Sequence, residues 1–453
     1  MLELLLPLQR LFIPGLIILL LWSSYRTIFK GDRAVGLVLY LALVIIVDSF
    51  LNTGIFIPGM AYGSIRYSEV CAFFLILNNP PNRYVKGNNR LFFLLLFLYF
   101  SLFLIAAFRG ITIEDGLNNF RRYIIPQLIA FWVSYRGFNK KEDYGRFLFY
   151  FMVLLVVIAL FTFWDVFFDR WLLFSEGLNS NTYSSGRRNG RFGSFFLNPN
   201  YMGAFAVLVF PVIFIRALLE KNIFKSVFCW ISLLALTFSL VETQSRGPML
   251  GFLVSAILFV VMPTKSYSFI KKTTFLIVFV LALYLLMPGF YEHATERFSG
   301  VESEMALDKK SRSTVWSYTV DLILDNPFFG IGLGEKAYFV KMIQSGFREE
   351  FLTRPLDNPH NSYLQIAVQA GIPAVIIFIL INILLIKKTI YANINRETEI
   401  SLFLSAFILG ICGFLTTLIT GSDIFVESIA ASFWVVYGLV FSIINDRDLR
   451  VPN

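Results

Sequence analysis

Residues 91–108 read LFFLLLFLYFSLFLIAAF, eighteen positions without a charge, held between Arg90 and Arg109. A helix rises about 1.5 Å per residue, and about 20 mostly apolar residues cross the hydrocarbon core of a bilayer. The stretch therefore reads as a transmembrane helix. Runs of the same kind recur at 5–24, 34–51, 61–77, 119–135, 147–168, 198–219, 225–242, 248–262, 273–289, 361–386, 400–420 and 427–444. The chain is 57% hydrophobic and 15% charged over 453 residues, more apolar surface than a soluble domain of this size can hide. The expected fold is an all-α polytopic membrane protein with about 12–13 transmembrane helices. If all thirteen runs span, the N-terminus lies outside. The 61–77 run is short and carries Glu69, so a re-entrant segment and twelve spans is the alternative.

The first run has no small-residue cleavage site behind it and reads as a retained span. Cys71, Cys229 and Cys412 lie far apart inside apolar runs, which is neither a disulfide framework nor a zinc pattern. No metal or cofactor is expected. The net charge of +9 does not point to nucleic acid, because no basic stripe with interleaved aromatics occurs.

The basic residues instead sort by loop. Segments 26–33, 78–90, 136–146, 216–225, 263–272, 387–396 and 446–453 hold 21 of them, and the alternate loops 52–66, 109–122, 169–197, 243–247 and 420–427 hold nine. The rich set is assigned to the cytoplasm, which places the C-terminus inside. All nine basic residues of the poor set are Arg, whereas the rich set mixes 11 Lys with 10 Arg. Arginine forks match phosphate oxygens and stay charged at any accessible pH. A phosphate-bearing partner accounts for that choice; pairing with outer carboxylates such as Glu114, Asp115 and Glu176, or with lipid headgroups, accounts for it equally.

The longest hydrophilic segment, 290–360, falls on the outer side, and loops of such length commonly carry function. Within it, SRSTVWSYTVDLILDNP (311–327) predicts a helix. Ser311 or Ser313 would cap it, Val315, Tyr318, Thr319, Leu322 and Ile323 would share a face, and Asn326-Pro327 would end it. The glycines of GIGLG (330–334) follow no predicted parallel strand, so they read as a flexible turn and not a dinucleotide site.

Three candidates for chemistry follow. In DNPHNSYLQ (357–365), Asn358 or Asp357 would cap a helix and Pro359 would take its first position, leaving His360 in the first turn. The positive end of the helix dipole disfavours imidazolium there, so a neutral imidazole could serve as a general base; an idle interfacial histidine is the alternative. In ETQSRGP (242–248), Gly247 would close one helix and Pro248 open the next, fixing Arg246 at the outer boundary as a ligand or as a snorkelling anchor. In GRRNGRFGSFFLNPNYMG (186–203), Arg187, Arg188 and Arg191 cluster ahead of an Asn198-Pro199-Asn200 helix start. His293 reads as a surface residue.

The order of these stretches resembles the O-antigen ligase and polymerase superfamily. GRFGSFFLNPN, SRGPMLGF, SRSTVWSYTVDLILDNPFFGIGLG and HNSYLQIAVQAGIPA carry the likeness over about 186–375. The resemblance implies a membrane-embedded glycosyltransferase of the C type. It would take a glycan from undecaprenyl diphosphate on the periplasmic face of the inner membrane and pass it to lipid A core, to another lipid-linked repeat or to a protein. Carried onto this chain, it assigns Arg246 and Arg312 to the diphosphate, Arg191 likewise with Arg187 and Arg188 nearby, and His360, supported by Asn361, to the acceptor. The implied organisation is helices in 1–185, a core in 186–386 that includes the loop 290–360, and closing helices in 387–453. A transporter of a small anion or polysaccharide-related solute is the second reading, with Asp48, Glu69 and Asp165 as its ionisable residues within the spans.

Overall fold

The computed structural model describes residues 6–50, 55–56, 64–77, 89–136, 138, 141–167, 187–188, 191–262, 270–274, 276–277, 312–347, 358–394, 398–421 and 423–445. Its helices are α1 (Leu6–Lys30), α2 (Arg33–Ala42, continued as a π-helix over Leu43–Phe50), α3 (Tyr67–Leu77), α4 (Arg90–Phe108), α5 (Ile113–Asn119), α6 (Ile125–Tyr135), α7 (Lys141–Phe167), α8 (Pro199–Leu219), α9 (Ile223–Glu242), α10 (Arg246–Val261), α11 (Arg312–Asp325), α12 (Glu335–Gln344), α13 (Ser362–Ala370), α14 (Ile372–Ile394), α15 (Thr398–Thr417) and α16 (Glu427–Asn445). Two short antiparallel pairings accompany them, Ile55–Phe56 with Ser64–Ile65 and Arg187–Arg188 with Arg191–Phe192.

The fold is thus the expected all-α polytopic one. Seven helices among the described residues are long and apolar enough to cross a membrane: α4, most of α7, α8, α9, most of α14, most of α15 and α16. Helices α3 and α10 are apolar but shorter. Most of the 273–289 run lies outside the described residues, as do Ser311 and His293.

The chain divides into two compact units. The first comprises Met1–Tyr84, Ile129–Ser245 and Ala431–Leu449. Its centre is α2, buried over its whole length, and α8, buried over most of it. Arg33 at the head of α2 is buried yet satisfied: its guanidinium donates to the carbonyls of Leu75 (2.7 Å) and Val133 (3.0 Å). Asp48 closes the other end by accepting from the Tyr67 and Ser68 amides at 3.2 and 3.1 Å. Glu69 accepts from the Arg66 amide at 3.0 Å. Two of the three carboxylates considered for transport therefore hold the start of α3; the side chain of Asp165 lies outside the described residues.

The second unit comprises Val85–Leu128, Arg246–Ala430 and Arg450–Asn453. Within it α10 meets α15 along Gly247, Gly251 and Ser255, spaced four apart. A Cβ at Gly251 would run into the Gly413 carbonyl and the Thr417 methyl, and the Ser255 hydroxyl donates to the Leu409 carbonyl at 2.8 Å. Small residues at this spacing let two membrane helices approach backbone to backbone.

The loop helix appears where its periodicity placed it. Val315, Thr319, Leu322 and Ile323 of α11 are buried against Tyr338, Met342 and Phe347, with Ala367 and Val368 of α13 beneath. Ser313 lies inside α11 and does not cap it. The GIGLG segment is not a flexible turn. Ile331 and Gly332 donate to the Val368 and Gln369 carbonyls, Leu333 donates to Ala106, and Ile331 and Leu333 are buried. Gly330 and Gly332 have φ of +65° and +106°, and a Cβ on either would strike backbone of Gln369 or Arg109. The glycines are there for close packing.

Candidate functional site

Three helices of the second unit begin at one short segment, 418–421, just after α15. Arg246 is the first residue of α10, and in the next position Gly247 leaves no room for a Cβ beside the Thr420 hydroxyl. Arg312 is the first residue of α11, and its guanidinium donates to the Thr420 carbonyl at 3.2 Å. Ser362 opens α13; its amide donates to the carbonyls of Leu418 (2.8 Å) and Gly421 (2.9 Å), and its hydroxyl to Gly421 (2.7 Å). Helix N-termini carry partial positive charge and unsatisfied N–H groups. Three of them, two headed by arginine, make this loop an electropositive focus suited to an anion.

His360 sits just ahead of α13 and is exposed. The expectation that it occupies the first helical turn is corrected. Asn361 is the N-cap, its side chain accepting from the Tyr363 and Leu364 amides at 3.0 and 3.1 Å. Helix α13 therefore starts after it, and His360 holds the position before the cap with φ +52°. Its amide donates to Asn358 Oδ1 at 2.9 Å, closing a turn around Pro359. Asparagine accepts two amide bonds from the cap position, which explains why the helix starts there and not at Pro359. The run 361–386 is also not one helix, because Gly371 (φ +91°) separates α13 from α14.

A second correction concerns Gly247. The residue that takes the left-handed conformation between α9 and α10 is Gln244 (φ +45°), and Gly247 already belongs to the first turn of α10. Glycine is needed there for proximity to Thr420, not for chain reversal.

The arrangement also contains a group that loop sorting passed over. Asp423 is 2% exposed. Its Oδ2 accepts from the Thr417 hydroxyl at 3.3 Å, and its Oδ1 has no hydrogen-bond partner among the described residues. Burial pushes its carboxyl up to about 7, against the lowering effects of the Thr417 hydroxyl and the Arg312 charge. The signal in the sequence was a lone acid in TGSDIF, a loop with no basic residue to pair it.

Arg191 belongs to the first unit. Its Nε donates to the Thr243 carbonyl at 2.9 Å and its Nη2 to Asn200 Oδ1 at 2.9 Å; the Ser245 hydroxyl donates to that same oxygen at 2.6 Å. Asn198 caps α8 and Pro199 takes its first position, as the Asn-Pro-Asn turn predicts. Ser194 and Leu197 in this stretch also have positive φ. Arg191, in the second strand of the hairpin, thus ties it to the start of α8 and the end of α9. Arg187 and Arg188 form the partner strand of that hairpin. The second unit therefore brings together Arg246, Arg312, His360 and Asn361, while Arg191, Arg187 and Arg188 are elements of the first.

Residues 231–379 match the family model described as O-Antigen ligase. No curated protein matches the chain. The matched stretch contains Arg246, Arg312, His360 and Asn361. It supports the O-antigen ligase and polymerase superfamily and a role in surface polysaccharide synthesis.

Proposed function

We propose that the chain transfers a glycan from undecaprenyl diphosphate to an acceptor hydroxyl on the outer face of the inner membrane, as an O-antigen ligase or polymerase. The observation that carries this reading is the meeting of three helix starts at 418–421, with Arg246 and Arg312 heading two of them and His360 just ahead of the third. In the reaction the acceptor oxygen attacks the anomeric carbon, and the bond from that carbon to the diphosphate breaks. The electron pair leaves with undecaprenyl diphosphate. Arg246 and Arg312 offset the charge that builds on the leaving oxygens, a task guanidinium performs by bidentate hydrogen bonding. His360 takes the proton from the acceptor hydroxyl. Attack opposite the diphosphate inverts the anomeric centre. Asn361 caps α13 directly after the histidine and so fixes where the helix starts behind it.

The test is transfer of an undecaprenyl-diphosphate-linked glycan by purified protein, paired with surface polysaccharide profiles in cells. His360→Ala and Arg246→Ala are each expected to lower the rate by about two to four orders of magnitude. Normal polymer length and attachment in both variants would overturn the proposal. The acceptor recovered from the wild-type reaction, lipid A core or a lipid-linked repeat, distinguishes ligase from polymerase.

A further inference from the structure

An open groove runs between α1, α2 and α7 in the first unit. Its walls are apolar, with Leu20, Leu39 and Leu154 along its length. Trp22, Val35 and Tyr150 also line it, and the Trp22 and Tyr150 rings meet at 5.8 Å. All three of these residues adjoin a charged cluster. The Arg26 guanidinium stands 5.8 Å from the Trp22 ring. Asp32 accepts from the Val35 amide at 3.4 Å. Arg146 is one helical turn from Tyr150 on α7.

Two features of that cluster point outward to a ligand. Arg26 and Arg146 both donate to one oxygen, Asp32 Oδ2, so a single carboxylate serves two guanidiniums. Arg146 has a second partner in Asp143 at 3.0 Å. Arg26 does not, and its buried Nε has no hydrogen-bond partner among the described residues. Leaving a buried donor of a charged group unpaired is unfavourable, so an acceptor at this position is favoured. The segments 26–33 and 141–146 together hold five cations and three anions. An apolar groove within the span, headed by excess positive charge at its basic-loop end, matches a lipid with an anionic headgroup.

We propose that this groove binds an acyl chain of an anionic phospholipid of the leaflet bordered by the basic-rich loops, with the phosphate at Arg26 and Arg146. The phosphate oxygens accept from Arg26 and from the outer edge of Arg146, and the chain fills the space between Leu20, Leu39 and Leu154. The site is independent of the glycan-transfer reading.

The test uses the full chain reconstituted with equal amounts of phosphatidylglycerol and phosphatidylcholine, then extracted gently for native mass spectrometry. Wild type is expected to retain phosphatidylglycerol, with a preference of about fivefold over phosphatidylcholine for each arginine engaged. Arg26→Gln, which leaves Arg146 to hold Asp32, is expected to cut that preference. Leu20→Trp, a half-buried position where added bulk fills the groove, is expected to abolish retention of both lipids. Val153→Trp fills it from α7 and serves if Leu20→Trp does not melt cooperatively. Equal retention of the two lipids by wild type, no retention at all, or undiminished retention in a folded groove-filling variant would each overturn the proposal. Capture of added undecaprenyl phosphate in place of phosphatidylglycerol would overturn it too.

Discussion

Trp316 Nε1 donates to the Pro359 carbonyl at 2.8 Å, tying the helix that Arg312 heads to the residue before His360. Trp316 lies one turn into α11, so the bond fixes the helix start and the histidine turn as one piece. Removing the donor with Trp316→Phe keeps most of the packing and leaves the Pro359 carbonyl unpaired. The expected stability loss is about 1 kcal/mol. The expected loss in transfer rate is larger, about tenfold, because positioning errors act on the reacting geometry. Thermal unfolding and in vitro transfer, measured on the same preparation, check the two parts. A rate loss no larger than the stability loss would remove the positioning role.

The backbone of His360 is left-handed at φ +52°, a conformation that costs a residue with a Cβ about 1 kcal/mol or more. Two inactive variants should therefore differ in stability. His360→Gly is expected to melt above His360→Ala, the reverse of the order found in a helix. Differential scanning fluorimetry in detergent resolves the order, and a higher-melting Ala variant would show that the turn relaxes.

Asp423 supplies a pH dependence whose sign follows from burial. Its carboxyl is raised to about 7, so the folded chain keeps a proton that the unfolded chain releases from about pH 4 upward. Stability from this group falls as pH rises between those values and is level above the upper one. Asp423→Asn cannot ionise. Relative to wild type it should gain in melting temperature as pH rises from about 4 to about 7, with a constant difference beyond. Parallel melts across that range test it; a difference independent of pH would contradict the burial of a titrating carboxyl.

Gly247 and Thr420 are in close approach, and Gly247→Ala forces α10 away from the end of α15. The expected cost is about 1–3 kcal/mol. Thr420→Ala removes the atom that collides and should restore much of that stability in the double variant. Failure of the second change to compensate would place the strain elsewhere along Gly251 and Ser255.

Much of this was legible in the sequence for a simple reason. Hydropathy and helical period are local, so the apolar runs became helices and Val315, Thr319, Leu322 and Ile323 turned inward together. The Asn198-Pro199 start of α8 was legible for the same reason, since a cap and its helix are neighbours in the chain. Cap choice was less so where alternatives compete: 357–361 offers Asp357, Asn358 and Asn361, and the anchoring of Ser362 on Leu418 and Gly421 favours the last.

The sequence alone determined the class of fold, the loop helix and the helix starts at Arg312 and after Asn198. Tertiary structure decided what they share. The partner of Arg312, of Gly247 and of Ser362 is the segment 418–421, reached largely through its backbone carbonyls and one threonine. Backbone atoms are the same at every residue, so no letter marks a carbonyl as the anchor of a helix start more than fifty residues away. Only the packing of α10, α11 and α13 against the end of α15 selects it.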